Sequence, residues 1–233
     1  LLLAERRVMT RLMERRLARE PLAYILEHRE FYGIDLCVGP GVLIPRPETE
    51  LLVKQAMLMA PEHTDGGEPV IVEAGTGSGA VAISLAIHLP GARIYATDLS
   101  SEALEVARRN LSMHGVSERV TLLEGDLLEP VEEMADVIVA NLPYIPSGRI
   151  PELQPEIQWE PRMALDGGPD GLDLLKRLLH QAQHKLKGSG VILMEIDPQQ
   201  VQPMTKVVQD LFPGASASVE QDLAHHDRVL IVC

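Results

Sequence analysis

The 233-residue chain has only two cysteines, Cys37 and Cys233, far apart in sequence. That count suggests neither a disulfide framework nor the paired spacing of a zinc site, so neither a covalent staple nor a cysteine-held metal is expected. Idle thiols fit a reducing compartment, and a cytoplasmic location is the expectation. No apolar run approaches the ~20 residues of a membrane span. No basic-then-apolar leader opens the chain either. Positive charge is scarce: 21 Lys and Arg face 34 Asp and Glu, giving a net charge of −13 and a pI near 5.0. Gripping nucleic-acid phosphates normally takes a basic face, so neither nucleic acid nor membrane is expected as the main partner. Residues 1–35 are the exception, with seven Arg against six acids, which places the whole deficit downstream. Internal repeats and low-complexity tracts are missing too. Leu1 stands where an initiator Met would, which points to a start inside a longer protein.

What is present is an ordinary globular composition, 45% hydrophobic and 24% charged. Val8, Met9, Leu12, Met13 and Leu17 recur at helical spacing over residues 1–19, and Pro21 closes that helix or opens the next turn. The β-formers of "LAYILEHREFYGIDLCV", with a turn at Gly33, predict a hairpin. Residues 1–40 therefore read as a helical appendage and β-hairpin connector, and 41–233 as one α/β domain, with "PEHTDGGEP" (61–69) a solvated linker. From Pro69 on, strands are expected at 70–75, 93–98, 120–126, 136–142 and 190–196, with two more in "SASVEQD" and "RVLIV". Helices are expected at 78–89, 101–115 and 171–186, and a Pro-interrupted one at 201–212. Such alternation implies a mostly parallel sheet with helices on both faces. Ligands of these sheets sit beyond the carboxyl ends of the strands, and every polar candidate falls there.

The first of these is "EAGTGSGA" (73–80), between the first α/β strand and its helix. Gly75, Gly77 and Gly79 allow a sharp turn and bring backbone N–H groups close to a ligand, with Glu73, Thr76 and Ser78 between and before them. Asp98 ends the next strand, where a carboxylate can accept hydrogen bonds from ribose hydroxyls; an N-cap role competes, though Ser100 or Ser101 could cap instead. NAD and S-adenosylmethionine both carry that ribose, so both remain open on these residues. Asp126 ends the third strand and could accept from an adenine amino group, with Leu127 on the ring.

The second is "NLPY", where a run of branched residues ends at Asn141. An amide or base amino nitrogen has its lone pair spread into a conjugated system and is a poor nucleophile. A site accepting hydrogen bonds from both its N–H groups would orient it for attack. Asn141 offers a side-chain carbonyl and Leu142 its backbone carbonyl, which Pro143 aims by restricting the residue before it. Tyr144 can lie against the planar target. Arg46, Pro47 and Glu48 could close over the site or merely start a helix. Adjacent His225 and His226 read as a solvated turn; Trp159 could pack a loop over the active site, with core packing the preferred reading.

Asn-Pro-Pro-Tyr after the fourth strand marks methyltransferases acting on planar nitrogens, and "NLPY" is a variant with Leu142 for the first proline. Together with "VLIPRPETELLV", "PYIPSG", "WEPRMALDGGPDGLD", "LMEID" and "DLAHHDRVL", it resembles the peptide chain release factor glutamine N5-methyltransferase family from about Pro21 onward. The resemblance implies a Rossmann-like class I methyltransferase: a seven-stranded, mostly parallel sheet whose last strand is antiparallel. It also implies methyl transfer from S-adenosylmethionine to the glutamine of the Gly-Gly-Gln loop in release factors, by a monomer without metal. Family members carry a longer N-terminal helical domain that helps engage the release factor, so this chain would be shortened there. On the same resemblance, Gly75 to Gly79 line the methionine and ribose, Asp98 holds the ribose, and Asp126 with Leu127 borders the adenine. Asn141 and Leu142 hold the glutamine amide, with Pro143 and Tyr144 shaping its slot. "EID" replaces the commoner "EIG", leaving Asp197 without a role. Rival readings are an adenine N6-methyltransferase on rRNA or DNA, a nicotinamide oxidoreductase, and a non-catalytic binding subunit.

Overall fold

The computed structural model describes residues 3–64 and 67–233; Asp65 and Gly66, within the expected linker, lie outside them. Helix α1 (Leu3–Leu17) and the short α2 (Leu22–Leu26) are separated at Pro21, and the hairpin follows as β1 (His28–Phe31) and β2 (Ile34–Cys37). Tyr32 and Gly33 both have positive φ, +50° and +74°, the two-residue turn whose twist matches paired strands. Within the span 1–40 the two parts differ. Val8, Met9, Met13 and Leu17 of α1 are exposed, whereas Phe31 and Leu36 of the hairpin are buried in the main core with α3 (Glu50–Met59).

The main sheet is built from β3 (Val70–Ala74), β4 (Arg93–Asp98), β5 (Val120–Glu124), β6 (Ala135–Ala140), β7 (Leu186–Glu195), β8 (Ala217–Gln221) and β9 (Asp227–Val232). Their spatial order is β5-β4-β3-β6-β7-β9-β8, with β9 alone antiparallel to the rest. The last two strands thus cross over, unlike the simple 3-2-1-4-5-6 order of dinucleotide-binding sheets. Alternate residues face opposite ways, as the two-residue period requires. Ile71, Val139 and Leu193 point to a face covered by α3, α4 (Ala80–His88) and α5 (Ser101–Met113). Val72, Ile138 and Met194 point to the face covered by α6 (Asp173–Ala182) and α7 (Val201–Leu211).

Two expectations shift. Strand β7 begins at Leu186, four residues early, because Leu186 pairs with Ala135 before the ladder breaks and resumes at Val137 with Val191. The intervening Lys187 reaches back to the buried Asp136 at 2.8 Å. Helix α7 is not interrupted by Pro203, which sits in its first turn, where a backbone N–H has no intrahelical partner to lose. No helix among the described residues is long and apolar enough to cross a membrane.

Candidate active site

A cavity of about 330 Å³ opens at the carboxyl ends of β3, β4 and β6, where strand order turns from one side of β3 to the other. Glu73, Gly75, Thr76, Gly77 and Ser78 form one wall. The turn needs its glycines. Gly75 has φ +76°, and a Cβ there would stand 2.9 Å from Leu142 Cδ2. Gly77, at φ +55°, faces open space, with nothing within 4 Å of an added Cβ. Gly79 starts α4 at φ +83° and lies behind the wall rather than in it. The Gly75 and Thr76 N–H groups donate to the Thr97 carbonyl, both at 2.9 Å, which fixes the loop to β4.

Asp98 lines the cavity and is half-buried. One carboxylate oxygen accepts the Gly77 N–H at 2.8 Å and the other the Ser100 N–H at 2.9 Å. The α5 cap is Ser100, whose Oγ accepts the Ala103 N–H at 3.1 Å, so Asp98 is not the capping residue. Burial pushes the Asp98 carboxyl up, against these backbone hydrogen bonds. Glu73, 3% exposed, accepts the Thr76 hydroxyl at 2.7 Å and the Ala82 N–H at 3.0 Å. Burial dominates there too and lifts it to about 8, with the Asp98 charge adding to the rise.

Asp126 and Leu127 form the next part of the wall. Asp126 is paired with Arg177 of α6, which also lines the cavity, so two opposite charges meet across its edge. Leu127 takes a left-handed conformation, φ +51°, and its carbonyl accepts the Thr97 hydroxyl at 2.7 Å.

Asn141, Leu142 and Pro143 line the cavity next to Gly75. Asn141 Nδ2 donates to Thr49 Oγ1 at 2.9 Å. Thr49 donates in turn to Glu195 Oε2 at 2.7 Å, and the Tyr144 hydroxyl donates to Glu195 Oε1 at 3.2 Å. Tyr144 stands beside the cavity and does not line it. Burial raises both Glu195 and Tyr144 above their ordinary values. The backbone that carries these groups is held from behind by the loop 166–171. Gly167 N–H donates to Ile145 O at 2.9 Å, and Gln200 Nε2 donates to Tyr144 O at 2.8 Å and Gly171 O at 3.2 Å. Asp197 finds its role here: its side chain accepts the Gln199 N–H at 3.0 Å, and Gln200 Oε1 accepts the Asp197 N–H at 3.0 Å. It caps the turn that carries Gln200.

Sequence reasoning missed several residues of the site. Thr49 sits two residues beyond the Pro47 it considered; Glu195 is 146 residues away and shows no local pattern. Val42, Leu43 and Pro45 also line the cavity, as do Pro161, Met163 and Ala164. Glu160 joins these two segments by accepting the Ile44 N–H at 2.9 Å and pairing with Arg46. Trp159 is 44% exposed ahead of that loop, not core; bulk suggested burial, but its neighbours are short turns. His225 and His226 lie in an exposed turn.

Comparison with known proteins follows the same lines. A sequence profile described as ribosomal protein L11 methyltransferase (PrmA) matches residues 54–158. The release factor glutamine methyltransferase of Moorella thermoacetica is 43% identical over 221 residues, covering 94% of this chain and 77% of that protein. That of Rhodopirellula baltica is 38% identical over 232 residues, covering 97% and 78%. Among solved structures, a methyltransferase from Pyrococcus furiosus superposes with a TM-score of 0.65 at 20% identity, covering 97% of both chains. That last likeness is one of fold.

Proposed function

The chain belongs to the release factor glutamine methyltransferase family, and from that premise we propose the reaction in detail. A methyl group passes from the sulfonium sulfur of S-adenosylmethionine, leaving S-adenosylhomocysteine, to the side-chain amide nitrogen (N5) of the glutamine in the Gly-Gly-Gln loop of peptide chain release factors. That nitrogen gives up one proton to solvent. The observation that carries this reading is the amide of Asn141 in the lining of a glycine-rich cavity, next to Pro143 and hydrogen-bonded to Thr49. The chemistry of the wall suits the cofactor. The open space over Gly77 leaves room for it. Carboxylates at Glu73 and Asp98 offer partners for ammonium and hydroxyl groups, and Leu127 offers an apolar surface.

In this reading Glu73, Gly75, Thr76, Gly77 and Ser78 hold the methionine and ribose end, while Gly79, behind the wall, serves the turn into α4. Asp98 accepts from the ribose, and Asp126 and Leu127 border the adenine. Bound there, the cofactor supplies an electrophilic methyl on a sulfonium; no nucleophilic side chain and no metal enters. Asn141 and the Leu142 carbonyl each accept one N–H of the substrate amide, which orients the nitrogen and favours its loss of conjugation. Pro143 restricts Leu142 and so aims that carbonyl. Tyr144 packs beside the slot, its hydroxyl fixed by Glu195. Pro45, Pro161 and Met163 add apolar surface to the cavity lining. The appendage within residues 1–40 serves recruitment of the release factor.

The test is intact mass of a purified release factor after incubation with the protein and S-adenosylmethionine. One added methyl is expected, absent when the loop glutamine is alanine. Asn141→Ala should bind the cofactor nearly as before and turn over about 10²-fold more slowly, the usual loss when an oriented polar group is removed from a reacting centre. Unchanged turnover would reject the role of Asn141. A methyl on an adenine of rRNA or DNA, with none on the release factor, would reject the substrate.

A further inference from the structure

A side-chain amide has two ends of similar shape and opposite hydrogen-bonding sense. For a residue that must accept from a substrate N–H, presenting the NH2 end would be unproductive. What decides the orientation of Asn141 is not in its own strand. It is the chain Asn141 Nδ2 to Thr49 Oγ1 (2.9 Å) to Glu195 Oε2 (2.7 Å), with Tyr144 on Glu195 Oε1 (3.2 Å). Thr49 and Glu195 are 3% and 1% exposed, so no bulk water competes for these groups. We propose that Thr49 and Glu195 are positioning residues that set which end of the Asn141 amide faces the reacting nitrogen. The inference rests on the methyl-transfer reading above and extends it to two residues outside the "NLPY" motif.

The polarity follows link by link. An ionised carboxylate has only lone pairs to offer, so the Thr49 hydroxyl proton points to Glu195. The free lone pair of Thr49 then faces Asn141, and only the NH2 end can fill it. The carbonyl end of Asn141 is turned away from Thr49, free to accept in the cavity that Asn141 lines. A proton on the Glu195 oxygen facing Thr49 reverses every link: Glu195 donates to Thr49, Thr49 donates to Asn141, and the amide presents its NH2 end instead. The groups that bear on Glu195 come from four places. Thr49 and Glu48 precede α3, Tyr144 follows β6, and Arg228 lies on β9, with Asp197 acting through Tyr144. Arg228 favours the carboxylate; burial and Glu48 favour the proton.

The experiment has two readouts. In 15N-labelled protein without substrate, the side-chain NH2 pair of Asn141 is assigned by its loss in Asn141→Asp. It should move in the isosteric Thr49→Val and stay near its original position in Thr49→Ser. It should also shift as pH falls through the Glu195 titration, and not in Glu195→Gln. With a release factor as substrate, Thr49→Val should lower kcat about 10-fold or more while the cofactor Kd changes less than about two-fold, and Thr49→Ser should restore kcat. Wild-type kcat should show an acid limb that flattens in Glu195→Gln, whose carbonyl can still accept from Thr49 but cannot take up a proton at these pH values. An Asn141 signal indifferent to Thr49→Val, unchanged kcat in that variant, or the same acid limb in Glu195→Gln overturns the proposal. A wild-type protein that methylates no release factor, yet whose Asn141 signal responds as stated, rejects the substrate reading and supports the positioning of Asn141.

Discussion

Glu73 has two hydrogen bonds and still sits at about 8, because leaving water costs a carboxylate more than a hydroxyl and one N–H return. It is therefore mostly protonated at neutral pH in the folded protein, against an ordinary value of 4.5. The folded state binds a proton that the unfolded state has released. The stability gained from that proton is full below about pH 4.5 and is lost as pH rises through about 8. A cation brought to the cavity wall would favour the carboxylate instead. Binding of S-adenosylmethionine at pH 7 is thus expected to release up to one proton, read by calorimetry in buffers of different ionisation enthalpy. Glu73→Gln should abolish the buffer dependence. Equal binding enthalpies for the unmutated protein would place the positive charge away from Glu73. At this scale the sequence was legible where the cavity lining comes from consecutive residues, as in "EAGTGSG" and "NLP". It was mute about Thr49, Glu195 and Arg177, because a buried partner across the sheet or cavity leaves no local spacing to read.

Among the elements, the loop 166–171 has the tightest tolerance. Gly171 has φ +77°, and an added Cβ would fall 2.2 Å from Tyr144 O and 2.7 Å from Gln200 Nε2. Gly171→Ala must therefore displace the backbone that carries Asn141 to Tyr144. It should destabilise by more than about 2 kcal/mol, from strain at positive φ together with overpacking. Urea unfolding measures this, and a loss under 0.5 kcal/mol, or about that, would mean the loop can move aside freely. The strands β3 and β6 were readable within two residues, since apolar runs buried on both faces have few alternatives. The start of β7 was not. Lys187, Gly188, Ser189 and Gly190 lack an apolar pattern, and their place is set by the ladder to β6 and the Lys187 contact with Asp136. Pro203 misled for a related reason: its cost depends on whether it falls in the first turn, a boundary that propensity does not fix.

For the whole molecule, attachment is uneven. The hairpin shares the main core through Phe31 and Leu36, while α1 is fastened near its end by Arg16 and Arg19 to Glu156 and by Arg15 to Glu20. Solvent screens such surface ion pairs, so they anchor the helix only weakly. Hydrogen exchange should accordingly release the α1 amides well before those of β1 and β2, which should exchange with the central strands. Protection of α1 equal to that of β3 would show a stronger anchor than these pairs. The seven-stranded, mostly parallel architecture was legible as a whole, because strands and helices alternate from Pro69 on; the bare face of α1 was not, because helical spacing says nothing of what covers it. The position of β9 has a different kind of consequence. It is synthesised after β8 yet lies between β7 and β8, so on a ribosome β8 emerges with no neighbour to pair with. The edge of β7 stays open until Asp227–Val232 leaves the exit tunnel. At about 5–20 residues per second, the nascent chain passes through an interval in which six strands of the main sheet exist and only five can be in place.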